Sequence, residues 1–340
     1  MTQKEIARKA GVSVATISRV LNNESGVSSQ TRQRIAGLFD EYAYVRNNNA
    51  RNLRTSRSKA IGFLMSNIAN PFFIAIYQGL EPVCKKHGFN IILGNTNESI
   101  QQEKEAIDLF LSYRVDGLIA SFVDPQESTL KKLSNYGTSI IALDRQQRNI
   151  DTDTVIMDNL NSAKEQVYYL ASLGHKRIAV IYGTTNNLPG EDRLKGYRSA
   201  MRELGFSALP GYEVSGRFNE EEAYNGTIGL FRCIPPPTAV VVHNNLMCIG
   251  AYKAIKDLGL KIPKDVSLVG FDNFDFADYL NPGLTFIERS LQEAGRISGE
   301  MVIERIEKKY EGNARIVVLP YKLRINESCA PPAKEEGYNE

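Results

Sequence analysis

The 340 residues exceed one ordinary domain and point to two or three, and 42% hydrophobic with 24% charged content is that of a globular protein. The formal charge is only +2, yet residues 1–60 hold eleven Lys/Arg against four Asp/Glu, a net of +7 that leaves −5 for the remainder. A basic head on a mildly acidic body is suited to meeting a polyanion, with a solvated basic face as the plain alternative. No stretch approaches the roughly 18 apolar residues of a membrane span, and the start of the chain lacks a signal peptide's apolar core. The cysteines (Cys84, Cys233, Cys248, Cys329) are scattered, with no CxxC or Cys/His spacing. Reduced cytosolic thiols are expected, with no metal and no cofactor.

Residues Thr2-Gln3-Lys4-Glu5 form a capping box that opens a helix. Ile6 and Ala10 supply its inward stripe, and Gly11 stops it after about two turns. Ser13 caps a second short helix, with Ile17, Val20 and Leu21 facing in and Val14, Ala15, Ser18 and Arg19 facing out. A third helix from Ser28 packs Ile35, Leu38 and Phe39 beneath. Two short helices joined at a glycine-containing turn, closed by a third, make a helix-turn-helix.

The run Ile6-Ala7-Arg8-Lys9-Ala10-Gly11-Val12-Ser13-Val14-Ala15-Thr16-Ile17-Ser18-Arg19-Val20-Leu21-Asn22 resembles the DNA-binding unit of the lactose/galactose repressor family of bacterial regulators. The resemblance places the second helix in the major groove. It assigns base reading to Val14 and Ala15, against thymine methyls, and to Arg19, forked onto guanine O6 and N7. Thr2, Ser13, Thr16, Ser18, Asn22, Ser28 and Thr31 are the short polar side chains suited to phosphate contacts that fix register. Residues 47–54 match in position the family's hinge helix, in which Ala50 and Leu53 belong to the DNA-binding set and Leu53 wedges a minor-groove base step. So short a segment cannot hold a helix alone, which makes it a switch. Arg46 stands where the family usually has proline, and Asn48-Asn49 replace better helix formers, so this hinge should be harder to order.

From Lys59 short apolar strands alternate with amphipathic helices. Strands are predicted over Ile61–Met65, Asn90–Gly94, Gly117–Ser121, Ser139–Leu143 and Val155–Met157, then Ile178–Tyr182, Ala239–Val242, Ser267–Gly270 and Thr285–Ile287. Helices are predicted over Phe73–His87, Gln101–Tyr113 and Ser162–Leu173. Two such series imply two doubly wound parallel-sheet lobes, and ligands of such folds bind at the carboxyl ends of the strands. No GxGxxG opens the first strand–helix junction, GxxxxGK[ST] and GxSxG are absent, and the three histidines are widely dispersed. No enzyme is expected.

The residues at those strand ends share one chemistry. Asn70, Phe72 and Phe73 follow the first strand and Asp144 and Arg145 the fourth, while Arg193 begins a later helix. Phe218, Asn244, Asp272 and Arg289 stand at further strand ends. Carboxylates, guanidiniums and amides present paired donors and acceptors to vicinal hydroxyls, and phenyl faces cover C–H surfaces; each taken alone could be an ordinary loop or cap residue.

The body, from about Lys59 to Cys329, resembles the periplasmic sugar-binding-protein fold of the same family. Against its ribose-binding members, Asn70, Phe72, Phe73, Asp144, Arg145, Arg193, Phe218, Asn244 and Asp272 match sugar-contacting positions. Arg289 stands where those relatives have glutamine, which leaves open a ligand bearing a carboxylate or phosphate, or a pocket set differently.

The expected organisation is α/β, two doubly wound parallel-sheet lobes (periplasmic-binding-protein-like) preceded by a small all-α helix-turn-helix domain. The head covers 1–46, the hinge and linker 47–58, and the effector-binding domain 59–329. Its first lobe takes 59–158 with 290–318, its second 159–289 with 319–329, and 330–340 form a disordered tail. The expected function is that of a cytoplasmic transcriptional regulator, most simply a repressor, which binds near-palindromic operator DNA as a homodimer. The tail has no leucine heptads of the kind a tetrameric relative uses. A monosaccharide-like effector would bridge the lobes and bias the hinge helices, and both induction and corepression remain open. The alternatives are control by a protein partner, as in catabolite-control members, or by a non-sugar molecule such as a purine.

Overall fold

The structure, a computed structural model, describes residues 1–21, 23–44, 57–123, 128–145, 151–207, 209–272 and 280–333. Its contacts divide the chain into two units, Met1–Ser58 and Lys59–Glu340.

In the smaller unit, α1 (Gln3–Ala10) begins with the capping box: Glu5 N donates to Thr2 Oγ1 at 3.3 Å, and Thr2 N donates to Glu5 Oε2 at 2.7 Å. Gly11 ends it in the left-handed region at φ 63°, where a side chain would be strained. Ser13 Oγ accepts from Thr16 N at 3.1 Å to start α2 (Val14–Leu21), and Ser28 Oγ accepts from Thr31 N at 3.3 Å to start α3 (Ser29–Glu41). Helices this short do not persist alone. They are tied by a shared core of Ile6, Ala7, Ala10, Ile17 and Ile35. Val20, Leu21, Leu38 and Phe39, expected inside, pack against that core half-buried.

The larger unit opens with β1 (Ala60–Met65), α4 (Pro71–Lys86), β2 (Asn90–Asn95), α5 (Ile100–Ser112), β3 (Gly117–Ala120), α6 (Ser128–Asn135), β4 (Ser139–Leu143) and β5 (Asp153–Met157). The chain then runs through α7 (Asn159–Ser172), β6 (Ile178–Tyr182), α8 (Leu188–Glu203), β7 (Glu213–Ser215), α9 (Glu220–Leu230), β8 (Ala239–Val242), α10 (Asn245–Asp257), β9 (Ser267–Phe271) and β10 (Thr285–Arg289). Last come α11 (Leu291–Ile306), β11 (Ile316–Leu319) and β12 (Tyr321–Arg324).

The first sheet has the order β11-β5-β4-β3-β1-β2 and is parallel throughout. The second has the order β12-β10-β9-β8-β6-β7, parallel except for the β10–β12 pair. The chain passes between lobes after β5, after β10 and after β11. Central strands such as β1, β3, β8 and β9 are buried along their whole length, as a sheet covered on both faces requires.

Three features were hidden in the sequence. Strand β5 starts at Asp153, two residues before the apolar run, because that carboxylate is caught by the Arg305 and Arg315 guanidiniums and by Arg315 N. Burial works to raise its pKa, but those hydrogen bonds more than offset it and hold the carboxyl at about 2. Strand β12 pairs antiparallel with β10, so the second lobe is closed by a strand whose alternating exposure gives it no continuous apolar run. The tail also begins later than expected: Ala330 is ordered by His175, whose Nε2 lies 2.9 Å from its carbonyl, and by Ser267 Oγ, 3.1 Å from both its N and its O. Residues 334–340 lie outside the described set.

Helices α4 and α11 meet without intervening side chains, and a methyl built on Gly295 would overlap the carbonyl oxygen of Ile76. Since neither backbone can move without disturbing its sheet, Gly295→Ala should destabilise the larger unit by about 1–3 kcal/mol. In contrast, exposed Gly229 of α9 has open space around it, so Gly229→Ala should stabilise by about 0.4–1 kcal/mol. Urea unfolding of both variants checks the pair, and equal effects would mean that the α4–α11 contact is loose.

Candidate functional site

On the smaller unit, the three residues assigned to base reading lie exposed on α2, with the apolar Val14 as much as 42% accessible. The short hydroxyl residues stand elsewhere in the local structure than a loose surface would suggest. Thr2, Ser13 and Ser28 are the caps of the three helices, and Thr16 Oγ1 and Thr31 Oγ1 each sit 2.9 Å from a cap hydroxyl. Phosphates approaching them would also meet free N–H groups and the positive end of a helix dipole. Ser18 is half-buried on α2. Asn22, Ala50 and Leu53 lie outside the described residues, as do Arg46, Asn48 and Asn49 of the expected hinge.

In the larger unit the two lobes enclose a cavity of about 250 Å³. Asn70, Phe72, Phe73, Asp144, Arg145, Arg193, Phe218, Asn244, Asp272 and Arg289 all line it. The first lobe supplies Asn70 at the N-cap of α4, with Phe72 and Phe73 in its first turn, their rings edge to face at 4.9 Å. Asp144 and Arg145 follow β4. From the second lobe, Arg193 rises from the first turns of α8, Asn244 caps α10, and Asp272 and Arg289 stand at the ends of β9 and β10. Phe218 lies in the turn between β7 and α9.

Each arginine is held in a distinct way. Arg145 forms a fork with Glu98 at 2.6 and 2.9 Å and also reaches the Phe122 carbonyl. Arg193 donates to Asn159 Oδ1 at 2.8 Å and to the His243 carbonyl, and lies 4.1 Å over the Phe271 ring. Burial, reinforced by the neighbouring Arg289 charge, lowers its pKa to about 10, so it is still a cation at neutral pH. Arg289 pairs with Asp272 within its own lobe and with Asp144 of the other lobe at 3.4 Å. A second polar link across the cleft runs from Asn245 Nδ2 to Asn70 Oδ1 at 2.8 Å.

The backbone around the cavity is also unusual. Among the described residues, Asn97, Glu98, Asp144, Arg217, Phe218 and Asp272 of its lining have positive φ, six of the eleven non-glycine residues that do. Conformations of this kind cost of order 1–3 kcal/mol each and collect at ligand sites. Asn97, Glu98 and Arg217 went unseen in the sequence, although the end of β2 and the residue before Phe218 were available to the strand-end rule. Asn245 hid beside Asn244, with no pattern to separate cap from bridge.

Residues 2–47 match the model of bacterial regulatory proteins of the lacI family, and residues 58–326 match that of periplasmic binding proteins and the sugar-binding domain of the LacI family. The chain belongs to the LacI family. It is 34% identical to the HTH-type transcriptional repressor CytR of Escherichia coli K12 over 92% of each chain. It is 29% identical to the ribose operon repressor of the same strain, over 94% of this chain and 97% of the other. A LacI family regulator from Enterococcus faecium, solved with bound ribose, superimposes with a TM-score of 0.71 at 27% identity over 81% of this chain and all of the other. The lac repressor dimer bound to operator and the anti-inducer ONPF gives 0.84 at 24% identity over 97% and 99% of the chains, a likeness of fold. The chain is therefore a DNA-binding transcriptional regulator of the LacI family, and these relatives are regulators rather than enzymes. Among the described residues no helix is long and apolar enough to cross a membrane.

Beside Asn244, His243 is fully buried with neither ring nitrogen hydrogen-bonded. Burial, aided by the Arg193 charge, pushes its pKa down from 6.5 to about 3. The unfolded chain therefore takes up this proton near pH 6.5 while the folded chain refuses it until about pH 3. Stability must fall as the pH drops through that window. His175, also lowered by burial, acts in the same direction. His243→Phe should flatten the dependence of melting temperature on pH below 6.5. Parallel curves for the variant and the parent would show that His243 is protonated without penalty.

Proposed function

We propose that the chain is a cytoplasmic repressor that acts on nucleoid DNA as a homodimer and catalyses no reaction. Its affinity for a near-palindromic operator is set by a small polyhydroxylated effector held between the lobes. The single observation that carries the reading is the convergence of all ten predicted effector-binding residues on one cavity lined from both lobes. An effector there favours one lobe arrangement by its differential affinity, and the shift is read by the hinge segments of the dimer. On the head, Val14, Ala15 and Arg19 are the base-reading residues and the helix caps Thr2, Ser13 and Ser28 the phosphate-binding ones, with Thr16, Ser18, Asn22, Thr31 and Ala50 completing the DNA contacts and Leu53 the minor-groove wedge.

Two heads on a two-fold axis meet half-sites about one helical turn apart, roughly 10 bp centre to centre. Selection from random DNA should therefore return paired, inverted half-sites, and Arg19→Ala should cost about 1–3 kcal/mol and relax preference at one base. Enrichment of single half-sites only would refute the dimeric mode. For the effector cleft, Asp272→Ala and Arg193→Ala should each abolish the response of operator binding to added sugar while leaving affinity for the operator itself in place. Fluorescence anisotropy on labelled operator, with and without a panel of mono- and disaccharides and nucleosides, measures both. A normal response in either variant would remove that residue from the site.

A further inference from the structure

Arg289 occupies a position no surface arginine could. Its side chain is 2% exposed, those of Asp272 and Asp144 are 3% and 11% exposed, and it pairs with both. Its guanidinium lies 4.7 Å from the Phe72 ring of the first lobe and 5.4 Å from the Phe271 ring of the second. One nitrogen of the fork is therefore given to each lobe, and aromatic faces bound the plane between them.

Without a ligand the described lining of the cleft sets three carboxylates (Glu98, Asp144 and Asp272) against four guanidiniums. Arg145 is committed to Glu98. Arg289 lies between Asp144 and Asp272, and Arg193 is held by Asn159 Oδ1 and the His243 carbonyl, with the two aspartate charges only partly offsetting the burial and the Arg289 charge that lower its pKa. Among the described lining residues this leaves only Arg217, which is exposed. Carboxylates and guanidiniums buried together are tolerable because each has a partner, and separating one pair leaves an uncompensated charge in a low dielectric. An anionic ligand seeking Arg289 would have to displace Asp144 or Asp272 and strand that carboxylate in the same space. A neutral polyol asks for no such exchange, since the carboxylate oxygens not facing Arg289 still accept from hydroxyls.

We propose that Arg289 is the internal counter-ion of the cleft, bridging the lobes through Asp144 and Asp272, and that the cleft consequently selects an uncharged polyhydroxylated ligand over its anionic counterparts. This rests on the reading of the cavity as the effector site.

The test compares the full-length parent with Arg289→Gln by calorimetry, using a neutral aldopentose, its 5-phosphate and the corresponding aldonate. The parent should prefer the neutral sugar by about tenfold or more, and Arg289→Gln, which installs the glutamine of the ribose-binding relatives, should keep the neutral sugar and gain no affinity for the anions. Binding of the phosphate or aldonate by the parent as tight as or tighter than that of the neutral sugar, or a gain of anion affinity in Arg289→Gln, would overturn the proposal. A ligand-free arm uses thermal unfolding of Arg289→Gln, Asp144→Asn and the double variant. The double variant should be less destabilised than the two single losses added together, and strict additivity would refute the bridge. In the same assay inorganic phosphate alone should not raise the melting temperature of the parent, and a rise abolished by Arg289→Gln would show an open anion site. If no sugar binds while the stability coupling holds, the bridge stands and the sugar reading of the cavity fails.

Discussion

A parallel sheet buries its strands but cannot finish them. At each carboxyl end the ladder stops, the chain turns toward a helix, and polar groups must find partners that the sheet does not supply. In the larger unit two such edges face each other, and most of the remaining architecture follows from that confrontation. Helix caps consume some of the polar groups: Asn70 accepts from Phe72 N and Asn244 from Met247 N. Ion pairs consume others, within a lobe for Arg145 and Glu98 and across lobes for Arg289 and Asp144. What is left over is a small cavity with paired hydrogen-bonding groups and aromatic walls, which is the chemistry a polyhydroxylated molecule needs.

The connection between that cavity and the rest of the first lobe is short. Arg289 ends β10, Ser290 follows, and α11 begins at Leu291, seated without side-chain padding on α4. Helix α4 in turn carries Asn70, Phe72 and Phe73 at its start. Of the residues proposed to feel the effector, Asn70, Phe72, Phe73 and Arg289 thus stand on or next to one closely packed pair of helices. Interiors this closely packed move as blocks. On the smaller unit a similar economy holds, since the hydroxyls that start the helices are the groups assigned to phosphate.

The sequence was most informative where periodicity and capping act locally. The head could be read because Thr2, Ser13 and Ser28 announce helix starts and Gly11 a stop. The strand ends could be read because β1, β4, β8 and β9 are continuous apolar runs that break at polar residues. Legibility failed where the deciding contact is distant in the chain. Asp153 looks like a loop residue until Arg305 and Arg315 are brought to it. Ala330 looks like tail until His175 and Ser267 engage it. Arg289 looked like a cation awaiting an anion, since Asp144 lies 145 positions away and nothing local marks the pair. Glu98 was passed over because a carboxylate two residues before a helix start reads as capping, while its partner Arg145 lies 47 positions on.

The pairing of Arg289 with Asp144 and Asp272, with the Arg193 charge buried close by, bears on how such a regulator can diversify. Adaptation to a ligand of different charge would require the compensating members of the set to change together, because any single replacement passes through an intermediate with a buried, unpaired ion. The order of substitutions is then constrained by epistasis. Descendants that change effector while keeping this quartet should explore hydroxyl geometry and ring size through the aromatic walls at Phe72, Phe73 and Phe218, where each step is nearly independent. Lineages that crossed to charged effectors should have done so after duplication, when one copy was free to carry an unstable intermediate.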